Sequence, residues 1–147
     1  MPRYLLDTNL LLYTQDARDP RKQARALALI EHLGRRFDAA LSAQNLAEFA
    51  NVALKRLNPP LAPAQVTEQL ELFEQVFEVY PLTAAVVREA VRGVESHSLS
   101  YYDAQIWAVA RLNQIHVVLS EDFNAEATLE GVHFLDPLDE VVALNEL

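Results

Sequence analysis

Short apolar runs alternate along the chain with longer stretches in which apolar residues return every three or four positions. The short runs are Arg3 to Leu6, Ala39 to Leu41, Phe77 to Tyr80, His116 to Leu119 and Val132 to Leu135, each the length of a buried strand. The stretches between them predict amphipathic helices. Asp19 to Leu33 opens on Asp-Pro, sets Ala24, Leu27, Ala28 and Ile30 on one face, and meets Gly34 just past its predicted end. Leu46, Phe49, Ala50, Ala53, Leu54 and Leu57 give a second helix, stopped before Asn58-Pro59-Pro60. Pro63 opens a third, with Val66, Leu70, Phe73 and Phe77 at helical spacing. Thr83 caps a fourth through Val86, Val87, Ala90, Val91 and Val94, and Glu95 to Ser98 predicts a polar loop. Ser100 then begins a fifth, bearing Ala104, Ile106, Trp107, Val109, Ala110 and Leu112.

Strands separated by helices require right-handed crossovers, so the pattern predicts an α/β fold: a mainly parallel sheet of about five strands with helices on both faces. The 147 residues, 51% apolar, suit a single domain over residues 1–147 with one compact core. With 3 Gly, 7 Pro and no internal repeat, neither a linker nor a repeat array is indicated. The chain has no cysteine, which excludes disulfides, thiolate metal sites and a cysteine nucleophile. Met1-Pro2-Arg3 leads straight into a strand-like segment without a signal-peptide pattern, and no run approaches the roughly 18 apolar residues of a membrane span. The expectation is a cytoplasmic protein with no membrane partner.

A formal net charge of -9 argues against tight electrostatic binding of a nucleic-acid backbone. Arg18, Arg21, Lys22 and Arg25 nevertheless concentrate early in the chain, and Arg35-Arg36 and Lys55-Arg56 form two further pairs; each reads first as part of a solvated helix face. The four histidines, His32, His97, His116 and His133, show no ligand spacing. No serine carries the glycines of a nucleophile elbow. Tyr101, Tyr102 and Trp107 have the rings to stack on bases, although Trp107 lies within an apolar face and reads as core or subunit interface.

The acids change the picture most. Tyr4-Leu5-Leu6 ends abruptly in Asp7-Thr8-Asn9, and Val117-Val118-Leu119 ends in Ser120-Glu121-Asp122. Glu48 lies near the start of one helix and Asp103 near the start of another. Each has an ordinary explanation. Asp7 can cap the following helix, Ser100 and Asp103 fit a capping box, Glu48 complements a helix dipole, and Asp122 belongs to a polar turn. Together, two acids at strand ends and two near helix starts can converge on one sheet edge, where open α/β folds bind ligands. Oxygen donors without His or Cys suit a hard cation, Mg²⁺ or Mn²⁺, and without it such a cluster should hold raised carboxylate pKa values.

At these residues the chain resembles the PIN-domain ribonucleases, and among them the VapC-type toxins of bacterial type II toxin–antitoxin pairs. The resemblance rests on Leu5-Leu6-Asp7-Thr8-Asn9, on Ser42-Ala43-Gln44-Asn45-Leu46-Ala47-Glu48-Phe49, on Leu99-Ser100-Tyr101-Tyr102-Asp103-Ala104-Gln105-Ile106, and on Leu119-Ser120-Glu121-Asp122-Phe123. It implies a three-layer α/β/α PIN-like fold, with Asp7, Glu48, Asp103 and Asp122 as catalytic, metal-binding carboxylates and Asn9 and Ser120 as polar supports. It further implies metal-dependent endonucleolytic cleavage of RNA, a small antitoxin that blocks the site, and a homodimer using apolar helix surfaces such as those around Leu70 and Phe73. Bound cations would supply positive field that the acidic chain lacks. The segment Phe123-Asn124-Ala125-Glu126-Ala127 departs from the Leu-Gln-x-Gly-like pattern of many relatives. Two other readings compete: a PIN-like binding module without catalysis, and an RNA-processing nuclease that is not a toxin. A phosphatase-like hydrolase with an Asp nucleophile is disfavoured, because residue 9 is Asn and not a second acid.

Overall fold

The computed structural model describes residues 2–123 and 127–147, so most of the divergent segment after Phe123 lies outside the described residues. Six strands are seen: β1 (Tyr4–Leu6), β2 (Ala39–Ser42), β3 (Glu78–Tyr80), β4 (Val117–Leu119), β5 (Thr128–Leu129) and β6 (Val132–Leu135). They form one sheet in the order β3-β2-β1-β4-β6-β5, parallel throughout except for the β5–β6 pair. The five predicted strands are present to within a residue at either end. The sixth, β5, has two residues and is too short to register as an apolar run.

Helices α1 (Thr8–Tyr13), α2 (Pro20–Arg36), α3 (Ala43–Lys55) and α4 (Pro63–Val76) cover one face. Helices α5 (Ala84–His97) and α6 (Tyr101–Leu112) cover the other. Successive strand residues divide between the two layers, as a period of two requires. Leu6, Leu41 and Leu119 pack with Leu10, Leu29, Leu33, Phe49 and Phe73, whereas Leu5, Ala40, Val118 and Phe134 pack with Val86, Ala90, Ile106 and Trp107. A slip of one residue in any central strand would exchange its two faces, so burial on both sides fixes the register, and with it the level of whatever follows each strand. Among the described residues no helix is long and apolar enough to cross a membrane.

Several local expectations change. Leu10 to Tyr13, not assigned from periodicity, fall in the helix α1 that Asp7 caps. Gly34 does not end α2, which continues to Arg36 and stops at Phe37 in the left-handed conformation (φ 51°). Gly34 instead lets α2 approach α4 closely: an added Cβ would lie 2.6 Å from Val76 Cγ1. The predicted polar loop at Glu95 to Ser98 is mostly the last turn of α5, and Ser98 (φ 55°) makes the break. Phe73 lies within the core against the edge of Phe49, with ring centroids 5.1 Å apart, so it cannot form the subunit contact expected around Leu70 and Phe73.

Helix α6 is buried along seven successive residues, Ala104 to Ala110, in keeping with a helix that is apolar nearly all round. Trp107 is fully buried there and donates from Nε1 to the Leu129 carbonyl at 3.1 Å, which makes it a core residue. Its ring lies against Gly93 of α5, where an added Cβ would come within 2.8 Å. An alanine at Gly93 would gain about 0.8–1.0 kcal/mol of helix propensity but force about 1–3 kcal/mol of overpacking against a rigid ring. Gly93→Ala is therefore expected to lower the urea midpoint of unfolding, where an unhindered helix glycine would raise it.

Candidate metal centre

Parallel register brings the ends of β1, β2, β4 and β6 to one level. Leu6 pairs with Leu119 and Leu119 with Leu135, so Asp7, Ser120 and Asp136 leave the sheet side by side, with Ser42 alongside from β2. The backbone continues the ladder, Asp7 N–H donating to the Leu119 carbonyl (3.0 Å) and Ser120 N–H to that of Leu135 (2.9 Å). This is the carboxyl edge at which open α/β sheets place their ligands.

Asp7 is only 8% exposed. Its Oδ1 accepts from the Thr8 N–H at 2.7 Å and its Oδ2 from the Ser120 hydroxyl at 2.7 Å. It thus caps α1, as one reading of Asp7-Thr8-Asn9 expects, and stands at the carboxyl edge of the sheet. The Ser120 hydroxyl accepts in turn from the Asp122 N–H (3.1 Å), and the Asn9 side-chain amide donates to Asp122 Oδ2. Asp103 lies in the first turn of α6, close enough for its charge to act on both Asp7 and Asp122. The Ser100 hydroxyl makes no capping hydrogen bond, so the capping box read at Ser100 and Asp103 does not form.

Glu48 stands one step away. On α3, which follows β2 directly, Ser42 and Asn45 form a reciprocal capping box: Asn45 N–H donates to Ser42 Oγ (3.1 Å), and Ser42 N–H to Asn45 Oδ1 (2.8 Å). Asn45 Nδ2 also donates to Thr8 Oγ1 at 3.1 Å, joining α3 to the residue after Asp7. One turn on, the Gln44 amide donates to Glu48 Oε1 and to the Tyr102 carbonyl (3.2 Å), while Gln105 Nε2 donates to Gln44 Oε1 (2.6 Å). Glu48 is therefore tied to the start of α6 through buried amides. Asn45, Gln44 and Gln105 were not singled out from the sequence. They are amides near the helix starts that carry Glu48 and Asp103, a position that in sequence does not tell a buried relay from a solvated side chain.

The electrostatics are those of an anion cluster short of cations. Burial, the largest cause, pushes the Asp7 carboxyl up to about 6; the charges of Asp122 and Asp103 add to this, while the Ser120 and Thr8 hydrogen bonds oppose it. Asp122 is raised as well, by partial burial and by Glu121 and Asp103, against the pull of Lys22. Lys22 itself is held by Glu121 at 2.9 Å and by the Tyr13 hydroxyl at 3.3 Å, and Tyr13 donates to Glu121. The other early basic residues are also engaged: Arg18 with Asp16, Arg21 with Glu140, and Arg25 with the carbonyls of Pro137, Asp139 and Val142. They do not form an open basic surface for phosphates.

Among the described residues, no three acidic or histidine side chains come together as a ready-made ion cage. The donor chemistry still fits a hard cation, since a buried carboxylate whose close partners are neutral donors, with further carboxylates nearby, lacks only positive charge.

A family model described as the PIN domain matches residues 4–128. The chain belongs to the PIN-domain family. This PIN domain is similar in structure to a toxin–antitoxin complex from Klebsiella pneumoniae (TM-score 0.63, 17% identity, covering 91% of this chain and 97% of that one). It is likewise similar to a VapC toxin from Mycobacterium tuberculosis described as cleaving the sarcin–ricin loop (TM-score 0.63, 21% identity, 86% and 97%). A third is the DNA-bound VapBC of Salmonella typhimurium (TM-score 0.66, 19% identity, 93% and 99%). At these identities what they share with this PIN domain is the fold. No curated protein matches the chain in sequence.

Because the folded chain holds the Asp7 proton more tightly than the unfolded chain, this group's contribution to stability is complete below the ordinary value of 3.8 and is lost as pH rises through about 6. Asp7→Asn is therefore expected to stabilise the protein in EDTA at pH 7.5, on the order of 3 kcal/mol, and to leave it nearly unchanged at pH 4. Thermal unfolding at the two pH values checks this.

Proposed function

We propose that this PIN domain, spanning residues 1–147, is a metal-dependent endoribonuclease and the VapC-type toxin of a type II toxin–antitoxin pair, working in the cytoplasm. The observation that carries the reading is the like-charged group of Asp7, Asp103 and Asp122 near the carboxyl edge of the sheet, with Asp7 buried and held by the neutral donors Thr8 N–H and Ser120. The PIN family supports nuclease chemistry, and the toxin–antitoxin neighbours support a small protein antitoxin as partner. A homodimer accompanies this reading.

Asp7, Asp103 and Asp122 would hold Mg²⁺ or Mn²⁺, with Glu48 completing the set from α3. When bound, such an ion supplies charge stabilisation at the scissile phosphate and activates the attacking water. Ser120 and the Thr8 N–H fix the Asp7 carboxylate on both of its oxygens, leaving a second lone pair on each. Asn9 fixes Asp122 in the same way. The buried Gln105–Gln44 pair sets the position of Glu48 and anchors the backbone at Tyr102, immediately before Asp103. Holding these groups beforehand removes reorganisation from the reaction.

Purified protein is expected to cut single-stranded RNA with Mn²⁺ and not with EDTA. Asp7→Asn and Asp103→Asn should each lower the rate by about a hundredfold or more. Ser120→Ala, which removes the hydrogen bond to Asp7 and the one from the Asp122 N–H but no carboxylate, should cost about ten- to a hundredfold. A time course on a labelled RNA oligonucleotide measures all three. Activity in Asp7→Asn equal to that of the unmodified chain would overturn the site assignment, absence of Mn²⁺-dependent cleavage by the unmodified chain would favour the non-catalytic binding module, and co-expression with the neighbouring gene product, if protective, would separate toxin from RNA-processing enzyme.

A further inference from the structure

Beside the acidic edge a groove of about 470 Å³ opens between α3 and α6, within the roughly 300–1,000 Å³ usual for small-molecule sites. Glu48, which the proposed centre includes, lines this groove and is linked through Gln44 to the backbone just before Asp103. Tyr102 and Leu82 stand at its surface, 66% and 48% exposed, so the Tyr102 ring is open to a ligand in the groove. The remaining wall is amide: Asn51, exposed on α3, and the Gln44–Gln105 pair.

Resting on the reading of the acidic edge as an RNA-cleaving centre, we propose that this groove is the subsite for one unpaired nucleobase next to the scissile phosphate, with Tyr102 as its stacking platform and Asn51 and Gln105 facing its edge. An unpaired base needs a π-face, a dry flank and donors or acceptors in its plane. Tyr102, Leu82 and the amides offer these in that order. Tyr102 is also held as a platform must be. It sits in the first turn of α6, its carbonyl accepts from Gln44 Nε2 at 3.2 Å, and its ring packs edge-on against Tyr101 with centroids 5.3 Å apart. Gln44 is fully committed, its amide donating to Glu48 and Tyr102 and its oxygen accepting from Gln105, which leaves Gln105 Oε1 and the Asn51 amide to line the groove. Glu48, the carboxylate that lines the same groove, lies on the side toward which a base stacked on Tyr102 would direct its phosphate. The same stacking needs no basic surface, in keeping with a chain of net charge -9 whose early arginines are internally paired.

The test is the affinity of a fluorescein-labelled single-stranded RNA for the full-length chain, with Ca²⁺ in place of Mn²⁺, using the unmodified protein, Tyr102→Ala and Tyr102→Phe. An abasic position is moved through the oligonucleotide in turn, and cut sites with Mn²⁺ are mapped in parallel. Tyr102→Ala should weaken binding about tenfold or more, and Tyr102→Phe should restore it. One abasic position should cost the unmodified protein a similar factor and cost Tyr102→Ala nothing further. Weakened binding in Tyr102→Ala without cleavage by any of the proteins would keep this subsite and sink the nuclease reading. Cleavage with equal affinity and cut sites in all three proteins would overturn the subsite and leave the nuclease reading standing. Equal RNA affinity with loss only of antitoxin binding in Tyr102→Ala would give the groove to the protein partner and overturn the proposal.

Discussion

Burial of the Asp7 carboxylate at the carboxyl edge of a parallel sheet, with two further carboxylates acting on it, is the constraint on which the rest of the arrangement depends. A charge in that position is expensive unless donors or a cation compensate it. Ser120 and the Thr8 N–H compensate it in part, and that is why the register of β1 against β4 matters beyond packing: it sets the Ser120 hydroxyl 2.7 Å from Asp7. The shortfall remains visible in the carboxyl, pushed up to about 6. A fold selected for stability alone would have little reason to keep it, and sites that break local rules in this way are where function is expected.

The polar support extends outward from that carboxylate as a chain of amides and hydroxyls. Ser120 passes to Asp122 and Asn9, Thr8 to Asn45 and Ser42, and the separate pair Gln44 and Gln105 joins Glu48 to the start of α6. Buried polar networks hold a single geometry when every member is satisfied, and among the described residues no buried side-chain nitrogen or oxygen lacks a partner. The Tyr13–Lys22–Glu121 cluster flanks Asp122 and acts on it both ways, the Glu121 charge raising its pKa and the Lys22 charge opposing the rise.

Most of the fold was legible because it rests on periodicity. Strands buried on both faces and helices with a single apolar face leave plain patterns, and all five predicted strands match. What escaped depends on contacts across the molecule. Gly34 looked like a helix terminator, but its role is to admit Val76; Phe73 looked available on a helix face, but Phe49 covers it; β5 exists only because β6 offers an antiparallel partner. The same holds at the site. Asp7 and Ser120 could be read from abrupt ends of apolar runs, whereas Gln44, Asn45 and Gln105 carry no one-dimensional mark distinguishing a buried relay from a solvated amide.

Hard-cation binding at the acidic edge, as proposed above, is the point on which the account turns. Calorimetric titration of the metal-free protein with Mn²⁺ at pH 6, in two buffers of different ionisation enthalpy, tests it most directly. Asp7 titrates near that pH, so the account predicts saturable binding that releases roughly half a proton. Absence of binding at millimolar Mn²⁺, or binding unchanged by Asp7→Asn, would contradict it.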